Sequence, residues 1–241
     1  LFTGTGMDPE KERKSWNQFP HAYRSILQEA FDEFLKEPRA WDLLIATAAA
    51  RHRVHLPTHL MTSMIVQLEI VMRAEFRLRV FKAFDKAGLP ITIMGNGWEF
   101  AKFKHHEIKP SVEYYESLKL TCQAKFSLNA SPQFFNGSHE RVFVAMLNGA
   151  VPITTESLYY AEHFVSGQHY LPYHLDTLPH VLEDLKALMV SKTKLKDVRH
   201  EALTIAQRDH TWTKRAEEFM DKFETLGITE MIYRKQFTVK A

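Results

Sequence analysis

The stretch NGSHERVFVAMLNGAVPITTES, Asn136 to Ser157, sets a polar turn of Ser138, His139, Glu140 and Arg141 in front of residues that are apolar on every side, Val142 to Leu147. A helix that only fills a core has no need of such an entrance. With Ser138 as N-cap, the free N–H groups of the first turn and their partial positive charge would favour an anion such as a phosphate. Arg141, at the third helical position, and His139 would add charge-assisted hydrogen bonds if they turn toward the ligand. Asn136 and Gly137 lead into that end. A plainer reading competes: Ser138 to Arg141 caps a buried helix and meets water.

Other groupings carry less chemistry. RHRVHLPTH gathers Arg51, His52, Arg53, His55 and His59. His55 and His59 have the spacing of a helical metal pair, but Pro57 between them disfavours a continuous helix. A solvated basic loop is expected, and no metal site is assigned. KFKHHEIKP, with His105 and His106 beside lysines, reads as a loop. His210, Trp212 and Arg215 are expected to lock the last helices together, with Thr211 as a cap and Trp212 in the core. Cys122 sits among apolar neighbours and reads as an inert core thiol.

The elements that must position these residues follow from periodicity. LFTGTG ends a strand in a glycine turn, and HAYRSILQEAFDEFLKEP places Tyr23, Ile26, Leu27, Ala30, Phe31 and Phe34 on one helical face. AWDLLIATAAA predicts a second helix, and Leu60 to Lys86, free of Gly and Pro, a long third one. Then LPITIMGNG, AKFSLNASP, AVPITT and QHYLPY read as strands. Between them fall a helix capped by Ser111, the helix from Ser138 to Gly149, and a short piece from Tyr159 to Phe164. Helices close the chain over Leu178 to Ser191, Thr193 to Asp209 and Thr211 to Leu226.

Strands alternating with helices imply βαβ units, hence an α/β, Rossmann-like parallel sheet flanked by helices. The expected organisation is one domain over 1–241, with a helical insertion over 15–88 and a Rossmann-like core with closing helices over 89–226. Ligands in such sheets collect beyond the carboxyl ends of the strands. Three loops fall there: Thr3 to Gly6, Gly95 to Glu99, and Pro132 to Arg141. The Gly95-Asn96-Gly97 run is a tight turn first and a phosphate contact second.

The 241 residues, 45% hydrophobic and 25% charged, place the chain in the globular class. A formal charge of +2 makes no case for a nucleic-acid or membrane surface. One cysteine forms no internal disulfide, which points to a reducing, cytoplasmic compartment. Apolar runs such as LLIATAAA fall short of the roughly 20 residues a bilayer requires. The abrupt strand at Leu1 suggests that residues precede it.

At Asn136 to Ser157 the sequence resembles the donor-site motif of GT-B glycosyltransferases, especially the bacterial group related to spore-maturation glycosyltransferase-like proteins. LFTGTG is similar to the first strand of their second Rossmann-like domain. ITIMGNGWE is similar to their Gly-x-Gly-Trp turn, and HTWTKRAEEFM to their His-Thr-aromatic segment. The resemblance implies the C-terminal, nucleotide-sugar-binding half of a two-domain enzyme, with the acceptor half absent from this chain. Such enzymes transfer a sugar from a nucleotide-diphosphate donor to a glycan, lipid or protein acceptor, usually with no metal or other cofactor. A lipid acceptor would add peripheral membrane contact. By resemblance, Asn136, Gly137, Ser138, His139, Glu140 and Arg141 face the diphosphate and sugar, and Thr154, Thr155 and Glu156 lie at the neighbouring strand end. Gly95 and Gly97 would let the backbone approach the nucleotide, and the loop holding Glu107 and Ile108 would approach its base. Many retaining members carry a ribose-binding glutamate where this chain has Val144; Glu140, one turn earlier on the same face, would substitute. No catalytic acid or base is assigned; His139 is the titratable group within reach, more naturally a donor contact than a base. The alternatives are a non-catalytic nucleotide-sugar-binding module and an interaction protein that docks through its helical block.

Overall fold

Leu1 joins two halves of a sheet in a computed structural model that describes residues 1–227. One half orders its parallel strands β1 (Phe2–Thr3), β2 (Thr92–Met94) and β3 (Glu107–Lys109) side by side; the other orders β4 (Phe126–Asn129), β5 (Val151–Thr155) and β6 (Leu171–Tyr173). Leu1 N donates to Phe126 O at 3.0 Å, and Leu128 N donates to Leu1 O at 2.8 Å, the pattern of a parallel ladder. The strands therefore run β3-β2-β1-β4-β5-β6, and the winding reverses between β1 and β4. In a doubly wound sheet that reversal opens a crevice at the carboxyl ends of the two central strands.

Between β1 and β2 the chain inserts its helical block: α1 (Pro9–Arg13), α2 (His21–Lys36), α3 (Trp41–Arg51) and α4 (Thr58–Lys86). The block has its own apolar core, built on Trp16, Phe31, Phe34, Ile45, Met64 and Leu68. The 29-residue α4, about 43 Å long, belongs to both parts. Its first half closes the block's core. Its second half lays Phe76, Val80, Phe81 and Phe84 under the sheet, against Phe2, Ile93 and Trp98. The insertion is thus fixed to the sheet by a continuous helix. In the same sheet core lies α8 (Leu178–Val190), through Leu178, Leu182 and Leu185.

On the other side come α5 (Tyr114–Gln123), α6 (Glu140–Leu147) and α7 (Leu158–His163); α9 (Lys192–Asp209) joins the α4–α8 core through Leu195 and Val198 before reaching α6, and α10 (Trp212–Thr225) follows it. Val142 and Met146 of α6 pack with Tyr160, Phe164, Ala202 and Ala206. Among the described residues no helix is long and apolar enough to cross a membrane.

Several expectations are corrected. The segment holding His106, Glu107 and Ile108 is not a free loop: Glu107–Lys109 forms edge strand β3, paired with β2. His106 is tied down on both sides, accepting from Ile91 N at 3.3 Å and meeting Phe81 O at 2.9 Å. Ser111 does not cap a helix. Its backbone and hydroxyl are held by the Asn96 side chain, and α5 begins only at Tyr114. Trp212 is 87% exposed, not core; buried His210 makes the closing contact instead, with Arg215 Nη2 at 2.9 Å from its Nδ1. Cys122 is exposed and lies 3.1 Å from Asn148 Oδ1. In the basic segment, Arg51 pairs with Glu29 and Glu33, and His52 with Glu29. His55 and His59 are exposed, and no cluster of three or more potential metal ligands occurs among the described residues.

Candidate functional site

The loop between β4 and α6 closes one side of the central crevice, and its anchors set where α6 begins. His139, not Ser138, is the N-cap: its Nδ1 accepts from Arg141 N at 3.2 Å. The backbone N–H of His139 donates to Tyr160 Oη at 2.7 Å, and Leu158 N donates to Phe135 O. The helix therefore starts one residue later than the sequence suggests, because an imidazole reaches the same first-turn amide that a serine would. With Nδ1 accepting, the neutral ring carries its proton on Nε2. Burial, reinforced by Arg141 and Arg77, pushes His139 down to about 4. At neutral pH it is an uncharged donor.

Arg141, in the first turn of α6, extends over β1. Its guanidinium lies 5.9 Å from the Phe2 ring centroid, and a Cβ placed on Gly4 would be 3.7 Å from its Nη2. No side-chain hydrogen bond of Arg141 is made among the described residues, and its Nη1 is buried without any partner. Burial lowers its pKa, Arg73 adds to that, and Glu140 opposes it. Buried donors in folded proteins are nearly always paired, so an orphaned guanidinium nitrogen marks a place for an acceptor.

Arg77 approaches from α4. It is 7% exposed, donates from Nη1 to Thr5 O at 3.0 Å and from Nε to Ala130 O at 3.3 Å, and so bridges the β1 and β4 loops. Burial first, then Arg141 and Arg73, brings it down to about 10. Arg73, one turn earlier, has Glu69 Oε1 at 3.4 Å from an Nε that is buried and makes no hydrogen bond. Positive charge thus converges from two helices on one crevice, and the amide end of α6 adds to it. A local excess of buried like charge is unfavourable unless something negative joins it. A dianion would do so.

The neighbouring cleft, about 320 Å3, is lined by Thr3, Gly4, Gly95, Glu140, Arg141 and Val144 among others. Glu140 and Val144 thus share a wall. The glycines have a more structural task than expected. A Cβ on Gly95 would lie 2.1 Å from Gly4 O, and one on Gly97 2.4 Å from Gly6 O. They let the β2 loop pack onto the β1 loop, where Gly4 N donates to Met94 O and Gly6 N to Asn96 O. Gly95 still reaches the cleft; Gly97, with φ of +82°, does not line it.

The structure separates the remaining nominated residues. Thr154 has no exposed surface: its Oγ1 accepts from Asn129 Nδ2 at 3.0 Å inside a polar network with Ser131. It positions strand ends and touches no cleft. Thr155, Glu156 and Asn136 instead line a second cavity, on the far side of the β4–α6 loop. Gly137 and Ser138 are half-buried within that loop. Arg73 and Arg77 were missed by sequence reasoning: α4 also carries Glu69, Glu75, Arg79 and Lys82, so nothing local marks these two.

A family model described as glycosyl transferase-like matches residues 73–221, so Arg73, Arg77 and the whole of α6 fall within it. No curated protein matches the chain.

Proposed function

Because this chain belongs to the glycosyl transferase-like family, we propose that the crevice between β1 and β4 holds the diphosphate of a nucleotide-sugar donor, as in the donor half of a GT-B enzyme. The observation that carries this assignment is the buried, unpaired Nη1 of Arg141 beside Arg77 at the reversal point of the sheet. The phosphate oxygens accept from the Arg141 guanidinium, from the Glu140 N–H, the one first-turn amide of α6 not already bonded among the described residues, and from the Nε2–H of His139. Arg77 is already committed to two carbonyls; it holds the loops in register and contributes charge. Glu140, beside Val144, is placed to accept from a ribose hydroxyl.

In the transfer itself the bond between the sugar's anomeric carbon and the donor phosphate oxygen breaks, and its electron pair leaves on the diphosphate. The acceptor oxygen forms the new bond and gives up its proton, which passes to water. Negative charge on the departing group grows along this path, so donors fixed in place beforehand stabilise the transition state more than the ground state. The same fixed cations carry the leaving group's charge, so donor binding is expected to persist in a chelator.

Calorimetric titration with uridine, guanosine, adenosine and thymidine diphosphates tests the assignment. At least one should bind saturably, and Arg141→Gln should weaken it about 10- to 150-fold, the equivalent of a charged hydrogen bond. Binding that is indifferent to Arg141→Gln would remove the diphosphate from this crevice.

A further inference from the structure

The second cavity, about 590 Å3, opens between the end of α2 and the carboxyl ends of β5 and β6. Its apolar wall comes from Phe34, Leu35, Phe76, Phe135, Leu158 and Tyr173. At its polar end Glu156 Oε2 and His174 Nε2 are 2.7 Å apart. Glu37, Glu156 and Asp176 are among the lining residues together with one lysine, Lys36; Arg39 pairs with Glu37 at the rim, and Asp176 accepts from Thr177 N. The sign of charge is opposite to that of the arginine crevice.

The two sites share one partition. Arg77 Nε holds Ala130 O from the crevice side, and Thr155 Oγ1 holds Ser131 O at 3.3 Å from the cavity side. Phe76 and Arg77, adjacent on α4, face one site each. A molecule seated in the cavity therefore lies across a single loop from the diphosphate position.

We propose that this cavity is the donor half's own contribution to holding the acceptor in the cleft between the two halves, and that the acceptor is a hydroxyl compound with an apolar body and no phosphate or other negative charge near that hydroxyl. The proposal rests on the crevice holding the donor diphosphate. Burial of an apolar body against the phenylalanine-rich wall supplies affinity, and a few convergent polar groups fix orientation. The acceptor hydroxyl donates to the Glu156 carboxylate beside His174. Carboxylates at the same end disfavour a phosphorylated acceptor, since discrimination comes as much from unfavourable contacts as from favourable ones. The helical insertion acquires a task as well: by contributing Phe34 and Leu35, it shapes the acceptor cavity.

The test uses the full chain and two probes, n-octyl β-D-glucopyranoside below its micelle concentration and n-octyl phosphate, followed by ligand-observed NMR. Ala161, exposed on α7 at the cavity wall, is changed to Trp to fill the space without adding charge. Octyl glucoside should bind saturably to the wild type, and Ala161→Trp should weaken it by about tenfold or more. Octyl phosphate should bind about tenfold more weakly than octyl glucoside, with Glu156→Gln narrowing that difference. Absent octyl glucoside binding, an Ala161→Trp protein that binds it unchanged, or octyl phosphate binding equally well would overturn the proposal. Nucleoside diphosphate titration of the same Ala161→Trp protein keeps the two assignments apart. Retained nucleotide affinity confines the effect to the cavity, whereas parallel loss would overturn the separation of the two sites. A wild type that binds octyl glucoside but no nucleotide would sink the donor assignment alone.

Discussion

Replacing Arg141 with Met should separate stability from binding. The guanidinium has a buried Nη1 with no acceptor and shares its surroundings with Arg77 and Arg73. A buried donor left unpaired costs about 1–3 kcal/mol, and Met returns that while retaining an unbranched apolar reach over Phe2. Against this stands the lost attraction to the Phe2 ring, 5.9 Å away, which contributes about 0.5–2 kcal/mol. The ligand-free variant should therefore lie between about 1 kcal/mol less and about 2.5 kcal/mol more stable, a change in Tm of about −4 to +10 °C for a chain of this size. Nucleoside diphosphate affinity should fall about 10- to 150-fold, because a charged hydrogen bond is removed from the bound state alone. Thermal unfolding by circular dichroism and calorimetric titration read the two quantities separately. Arg77→Met is the control. It strips the donors from Thr5 O and Ala130 O, and should cost about 2–4 kcal/mol of stability. An Arg141→Met protein that melts more than about 4 °C lower yet binds nucleotide normally would refute the reasoning and make Arg141 a structural residue.

Gly95→Ala should destabilise the fold by more than about 2 kcal/mol in urea titration, since its methyl would sit 2.1 Å from Gly4 O, where neither backbone can yield cheaply. His139 and His210 are each held at about 4 by burial first and by neighbouring arginines second. The unfolded chain therefore takes up protons sooner: their stabilising contribution is complete above about pH 6.5 and is lost as pH falls through about 4. Urea midpoints should already decline between about pH 6.5 and 5, before most carboxylates titrate, and a His139→Gln/His210→Asn double variant should flatten that limb. Trp212→Ser should change stability by no more than about 0.5 kcal/mol, given its 87% exposure, whereas truncating buried His210 to Ala should be clearly destabilising.

Most of the α/β alternation could be read from the sequence, because β-branched runs ending in Gly, Asn or Thr and uninterrupted apolar helices are local signals. Strand β3 could not. Glu107, Ile108 and Lys109 are all exposed, so no alternation betrays them; their extended form comes from hydrogen bonds to β2. Trp212 follows the same logic in reverse, for a large aromatic in an amphipathic pattern argues for burial unless the rest of the fold leaves it uncovered. At the site, Arg141 was legible as a polar residue opening an apolar helix. The cap was not, because serine and histidine both offer an acceptor and only the anchoring of His139 N by Tyr160 decides between them. Arg77 carries no local mark. Its burial depends on carbonyls 72 and 53 residues away in sequence. The glycines of the β2 loop were noticed for the right reason, close backbone approach, but the backbone they admit is that of the β1 loop.

A crystal structure with a bound nucleoside diphosphate tests the central claim most directly. The account predicts phosphate oxygens within hydrogen-bonding distance of Arg141 Nη1 and the Glu140 N–H at the start of α6. Phosphates bound at another surface, with the Arg141 guanidinium still unpaired in the crevice, would contradict it.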